Sequence, residues 1–177
     1  GGVSGALARH ADGVLAGLSS QGFQWSRAIL LRMVTADLTR RVVSREDVLA
    51  GLESDAGAVL DQLVGARLIS IQRGSSDSTK TTQLELAHES LIRTWGTLSR
   101  WVDESREDLS GMEELEAAAA RWHKYGRRSE DLWSAETLGD AVRLTRRVSV
   151  PIVESVSDFL FASRRLANRH QRRRRWV

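Results

Sequence analysis

The stretch from Leu84 to Trp95, reading L-E-L-A-H-E-S-L-I-R-T-W, constrains the fold more than any other part of the chain. Leu84 and Leu86 alternate with Gln83 and Glu85, the two-residue period of a strand with one buried face. The period then changes. Leu91, Ile92, Trp95, Leu98, Trp101 and Val102 fall on a single stripe of a helix with about 3.6 residues per turn. A strand therefore runs into a helix, with His88 and Glu89 at the joint. A side chain there faces the first helical turn, where unpaired N–H groups and the helix dipole favour an anion. On spacing alone His88 is either a structural joint, as a cap or a satisfied core histidine, or a sensor of a bound anion.

Upstream of the joint the pattern is helical. Leu7, Ala11, Val14, Leu15 and Leu18 mark a first amphipathic helix, broken by Ser19, Ser20 and Gly22. A second, about Phe23 to Thr35, has Trp25, Ile29, Leu30, Met33 and Val34 on its inner side. Ser44 with Asp47 three residues on reads as a capping box for a short helix burying Val48, Leu49 and Leu52, with Gly51 near its end. Another helix, about Ser54 to Val64, turns Val59, Leu60, Leu63 and Val64 inward. Leu68 to Arg73 and Thr82 to Ala87 read as a hairpin, with Ile69 and Ile71 inward, around a loop from Gly74 to Lys80. Three to four helices followed by a two-stranded wing is the order of a winged helix, expected over residues 1–102.

A charged break is expected from Asp103 to Gly111, followed by helices alone. Leu115, Ala118, Ala119, Trp122 and Tyr125 form one stripe; Leu132, Trp133, Leu138 and Val142 suggest another helix or two. Pro151 suits a helix start, with Ile152, Val153, Val156, Phe159 and Leu160 on one face. The fold class expected is thus mainly α: a winged-helix domain over 1–102, a small helical bundle or arm over 103–163, and a basic tail over 164–177.

The tail explains the charge. The 26 basic and 23 acidic residues leave +3, yet every charged residue after Asp158 is an arginine, and without those seven the remainder is slightly acidic. Three readings of the tail are open: a solvated helix end, a cytoplasmic-face membrane cluster through Arg172, Arg173, Arg174 and Arg175 ahead of Trp176, or nonspecific nucleic-acid contact. Specific DNA binding by the winged helix is disfavoured, because the two helices before the wing carry Glu46, Asp47, Glu53, Asp55 and Asp61 against Arg45, although Arg40, Arg41, Arg73 and Lys80 could touch a backbone.

Several chemistries are excluded by motif. The two lysines, Lys80 and Lys124, follow no glycine, so no P-loop is present. His10, His88, His123 and His170 form no H-x-x-x-H pair, and there is no G-x-S-x-G elbow. The chain is expected not to be an enzyme, with no catalytic residue and no metal site. The absence of cysteine excludes disulfides and thiolate zinc and makes a cytoplasmic address the default. No stretch reads as a signal peptide or a membrane span. Since Gly1 is not a start residue, the chain is expected to be a fragment of something larger.

The motifs A-H-E-S-L-I-R-T-W, L-S-R-W-V-D-E-S-R-E, L-E-A-A-A-A-R-W and F-L-F-A-S-R-R, with the opening G-G-V-S-G-A-L-A-R-H-A-D, resemble the segment after the ATPase core in bacterial STAND proteins, the signal-transduction ATPases with numerous domains. In that class, which includes the NACHT and NB-ARC groups, a winged helix folds over a P-loop nucleotide domain and holds ADP in the closed state. The resemblance implies that His88 stands where the histidine of an M-H-D motif contacts the ADP phosphate, with Glu89 as its acidic neighbour and Ala87 in place of the methionine. It further implies ADP or ATP with Mg in the parent protein, none in the fragment itself. The implied partners are the P-loop domain of the same chain and a C-terminal sensor or repeat domain such as a WD-repeat propeller. Two alternatives stand beside this regulatory lid: a winged-helix DNA-binding transcriptional regulator, and a purely structural protein-interaction domain.

Overall fold

A computed structural model describes residues 2–73, 82–148 and 152–174. They are mainly helical, with one small three-stranded antiparallel sheet, and they divide into two compact units, 1–107 and 108–177. The loop from Gly74 to Lys80, Pro151, and the end of the chain from Arg175 to Val177 lie outside the described residues.

The first unit opens with α1 (Val3–Ala16) and α2 (Ser20–Leu31). Ser19 caps α2, its hydroxyl accepting from the Gly22 N–H at 3.0 Å, so the Ser-Ser-Gly break lies partly inside the new helix. A two-residue strand β1 (Val43–Ser44) precedes α3 (Arg45–Leu49) and α4 (Ala56–Gly65). Ser44 ends β1 and caps α3 together: its Oγ accepts from the Asp47 N–H at 3.0 Å and donates to the Asp47 carboxylate at 2.7 Å. The C-terminal end of α3 is closed by Arg32, whose guanidinium donates to the Val48 and Ala50 carbonyls at 2.7 and 2.9 Å. Burial pushes that group below the ordinary arginine value.

Two further strands, β2 (Ile69–Arg73) and β3 (Thr82–Leu86), complete a sheet of order β1-β3-β2. Leu84 pairs with Ile71 on one side and Val43 on the other. The sheet thus has three strands where the sequence pattern gave two, because a strand of two residues is too short to leave a period. Leu84 and Leu86 are fully buried, as their alternation requires, but Ile71 is 48% exposed. Leu84 has a strand on both sides, and on the edge strand the burial of Ile69 does not extend to Ile71.

The stripe from Leu91 to Val102 is buried at all six positions, but it belongs to two helices, α5 (Ser90–Thr94) and α6 (Gly96–Glu104). Trp95 between them has an extended backbone, φ −89° and ψ 101°, while its N–H still bonds the Leu91 carbonyl and its carbonyl the Ser99 N–H. The bend is held by a side chain remote in sequence. Trp95 Nε1 donates to Asp12 of α1 at 2.7 Å, and Thr97 Oγ1 donates to the same oxygen at 2.9 Å. Phe23 stands edge-on to Trp101 at 5.3 Å and Trp95 lies 6.3 Å from it, forming the aromatic part of this core.

The second unit is entirely helical among the described residues. The charged segment from Asp103 to Gly111 holds a turn at Ser105 and the boundary between the units after Glu107, but helix α7 (Arg106–Lys124) starts within it and not after it. Its termination is a Schellman motif: Gly126 (φ +82°) allows the Arg127 N–H to reach the Trp122 carbonyl at 2.8 Å. A 3₁₀ turn (Ser129–Asp131), α8 (Ala135–Val148) and α9 (Glu154–Arg174) follow. Met112, Leu115, Ala118, Ala119, Trp122, Ala141, Val156 and Phe159 form the core, with Phe159 edge-on to both Trp122 and Trp133. Tyr125, at the end of its stripe, is 54% exposed because α7 stops there. Ile152 and Val153 precede α9 and are 41% and 43% exposed, so only Val156, Phe159 and Leu160 of that expected face pack inward. Residues 164–174, read as a tail, continue α9.

Candidate functional site

The joint between β3 and α5 is assembled from three places in the first unit. The Ala87 N–H bonds the Leu68 carbonyl at 2.9 Å, which fixes where the chain leaves the sheet. His88 and Glu89 follow, both exposed. The N–H groups of Leu91 and Ile92 donate to the His88 and Glu89 carbonyls at 3.1 Å each. Two of the donors expected to greet an anion are therefore spent within the turn, and a helix of five residues contributes little dipole. Any polar recognition at this joint falls to side chains.

Among those side chains, Glu89 is engaged and His88 is not. Arg40 lies 3.7 Å from the Glu89 carboxylate and 3.4 Å from that of Glu85, and it donates to the Leu86 carbonyl at 3.3 Å. Gln72 donates to the same Glu85 carboxylate at 2.6 Å. Arg40 is carried there by a tight turn: Val34 bridges Arg40, the Thr35 and Thr39 hydroxyls meet at 2.7 Å, and Leu38 takes the left-handed conformation at φ +60°. Arg106 donates to the Ala36 carbonyl at 3.1 Å and pins the same turn. The imidazole of His88 has no hydrogen-bond partner among the described residues.

The other histidines differ. His10 Nε2 meets the Ala66 carbonyl at 3.1 Å, and His123 Nδ1 meets Arg127 at 3.2 Å while its Nε2 is buried without a partner. The side chain of His170 lies outside the described residues. Among the described histidine side chains, His88 is the exposed one whose ring has no hydrogen-bond partner.

The structure places the two sequence-derived site residues side by side and adds Arg40, which sequence spacing did not single out for this site. Forty-nine positions separate Arg40 from Glu89, and no periodicity links them. Asp12, which holds the bend behind α5, was equally illegible. Of the other groups weighed for nucleic acid, Glu46, Asp47, Glu53, Asp55 and Asp61 are all exposed, and Arg45 is paired with Asp61 at 2.9 Å. Arg40 is engaged as described; Lys80 and the side chain of Arg73 lie outside the described residues. Among the described residues, no helix is long and apolar enough to cross a membrane.

Residues 1–130 match the family model for novel STAND NTPase 1. No curated protein matches the chain, and no solved structure does.

Proposed function

We propose, from the premise that this chain belongs to the novel STAND NTPase 1 family, that it is a non-catalytic regulatory lid which senses nucleotide state through His88. The observation that carries this reading is the imidazole itself: exposed, without a hydrogen-bond partner among the described residues, and set at a strand-to-helix joint where the Leu91 and Ile92 N–H groups are already bonded. On this reading residues 1–102 are a winged helix, with α2 to α4 as its helical part and the β2–β3 hairpin as its wing. The partner is a P-loop nucleotide domain in the same protein, and the ligand sensed is ADP with Mg there.

The chain's own residues divide the work. His88 donates a ring N–H to a phosphate oxygen, a hydrogen bond to a charged group worth about 1.5 to 3 kcal/mol. Arg40 holds Glu89 and offsets its charge beside the incoming phosphate. Asp12, through Trp95, fixes the angle at which α5 leaves the joint. A contact made only in the closed arrangement shifts a two-state equilibrium by about 10- to 150-fold toward the resting form. Release on exchange for ATP would then permit assembly and pass a signal to a sensor or repeat domain, in the cytoplasm or at the cytoplasmic face of a membrane.

The deciding measurement compares the intact protein carrying this chain with its His88→Ala variant. The wild type is expected to purify as a monomer with ADP bound, and the variant to lose nucleotide or assemble spontaneously. The same nucleotide in the same state in both would reduce His88 to a structural joint. The DNA-binding alternative is disfavoured by the exposed carboxylates on α3 and α4.

A further inference from the structure

The second unit carries a surface that the lid reading does not use, on α9. Val156, Phe159 and Ser163 turn inward, Ser163 accepting from the Trp133 N–H at 3.3 Å. Phe161, Arg164, Arg165, Asn168 and Arg169 fall at i, i+3, i+4, i+7 and i+8, so they share the opposite side of the helix, and all five are exposed. Phe161 is 64% exposed, and the Arg165 guanidinium lies 6.0 Å from its ring centre. Arg127, Arg128, Arg143 and Arg147 of this unit each face a carboxylate. Arg164, Arg165 and Arg169 have no acidic partner among the described residues, and Asp158, the last acidic residue of the chain, is already paired with Arg127.

We propose that this basic, aromatic face of α9 docks on an anionic lipid surface. Its arginines match the charge of an acidic leaflet, and the sequence extends them with Arg172 to Arg175. A duplex nucleic acid would satisfy the arginines as well, but its phosphate backbone offers nothing that buries an apolar side chain. Here the cations are interleaved with an exposed phenylalanine, and the same helix is preceded by the exposed pair Ile152 and Val153. A headgroup layer accepts both kinds of side chain. The contact is peripheral, and it stands independently of the lid reading because none of its residues belongs to the joint at His88.

The test is sedimentation of the full chain with phosphatidylcholine vesicles, with mixed phosphatidylserine–phosphatidylcholine vesicles, and with a short duplex DNA, at physiological ionic strength. Binding to the mixed vesicles alone is expected. Each basic residue near an acidic surface strengthens binding about fivefold, so the triple variant Arg164→Gln, Arg165→Gln, Arg169→Gln is expected to lose on the order of a hundredfold. Phe161→Ser is expected to lose about tenfold, a loss that persists when salt is raised. Far-UV circular dichroism confirms that these exposed substitutions leave the helices intact. Equal binding to neutral vesicles, no vesicle binding, or tighter binding to DNA overturns the proposal. So does a variant of Arg172 to Arg175 that abolishes binding while the triple variant retains it.

Discussion

The two units dispose of their charge in opposite ways. Residues 1–107 carry 12 basic and 13 acidic side chains, and residues 108–177 carry 14 and 10. In the first unit arginines are committed to its own carboxylates and carbonyls: Arg27 to Glu104, Arg45 to Asp61, Arg40 to Glu85 and Glu89, and Arg32 to the end of α3. The imidazole of His88 has no hydrogen-bond partner among the described residues, and the exposed Arg9, Arg67, Arg93 and Arg100 have no carboxylate partner among them either. In the second unit Arg127, Arg128, Arg143 and Arg147 are paired with carboxylates, whereas Arg121, Arg146, Arg164, Arg165 and Arg169 have no acidic partner among the described residues, and the acidic residues stop at Asp158. A unit in which cations and carboxylates are interspersed presents local donors more than a field of one sign. A unit that leaves a row of cations unpaired presents a diffuse field, suited to a charged surface more than to a single ligand.

The largest effects test whether the units are independent. Trp95 and Phe159 are both fully buried, one in each core, and removing either large ring costs about 3 to 5 kcal/mol. Trp95→Ala is expected to abolish amide-exchange protection in residues 2–107 and leave 108–174 protected; Phe159→Ala is expected to do the reverse. Loss of protection across both units from either variant would break the distinction. Asp12→Ala is intermediate. It leaves the buried Trp95 with an N–H lacking its acceptor, at about 1 to 3 kcal/mol, confined to the first unit and strongest around α5. Urea unfolding with exchange mapping reads both size and location.

The smallest effect sharpens the second unit. A Cβ at Gly111 would meet Leu144 Cδ2 at 2.7 Å, so α7 and α8 approach closely there. The helix gains about 1 kcal/mol from Gly→Ala, and the crowding costs roughly 1 to 3 kcal/mol, moderated because a leucine end can rotate. Gly111→Ala is expected to lose about 1 kcal/mol net. In a Leu144→Ala background the same change should become stabilising, and an unchanged sign would show that the crowding is not what limits this site.

Gly111 also shows where sequence reading goes astray. A glycine in a charged stretch reads as a break, yet here it is the residue that lets one helix pass another. Tyr125, Ile71, Ile152 and Val153 illustrate a second kind of miss. Each continues an apolar pattern past the point where a neighbour exists to cover it, since periodicity records the phase of a side chain and not the extent of its partner. The cap at Ser44 was legible because it depends on spacing within a single turn, and the stripe from Leu91 to Val102 because its 3.6-residue phase carries across the bend from α5 to α6. The bend at Trp95 was not, because it depends on Asp12, 83 positions away.

By itself the sequence determined that a strand hands over to a helix at His88, that two apolar surfaces follow one another along the chain, and that the cations accumulate at one end. Those are local properties, set by the 2- and 3.6-residue periods and by residue type. Tertiary structure decided which groups were left over. Only packing could bring Arg40 to Glu89 and leave the His88 ring without a partner. A hydrogen-bonding group becomes available for function when every neighbour has been satisfied elsewhere, and that accounting closes only in three dimensions.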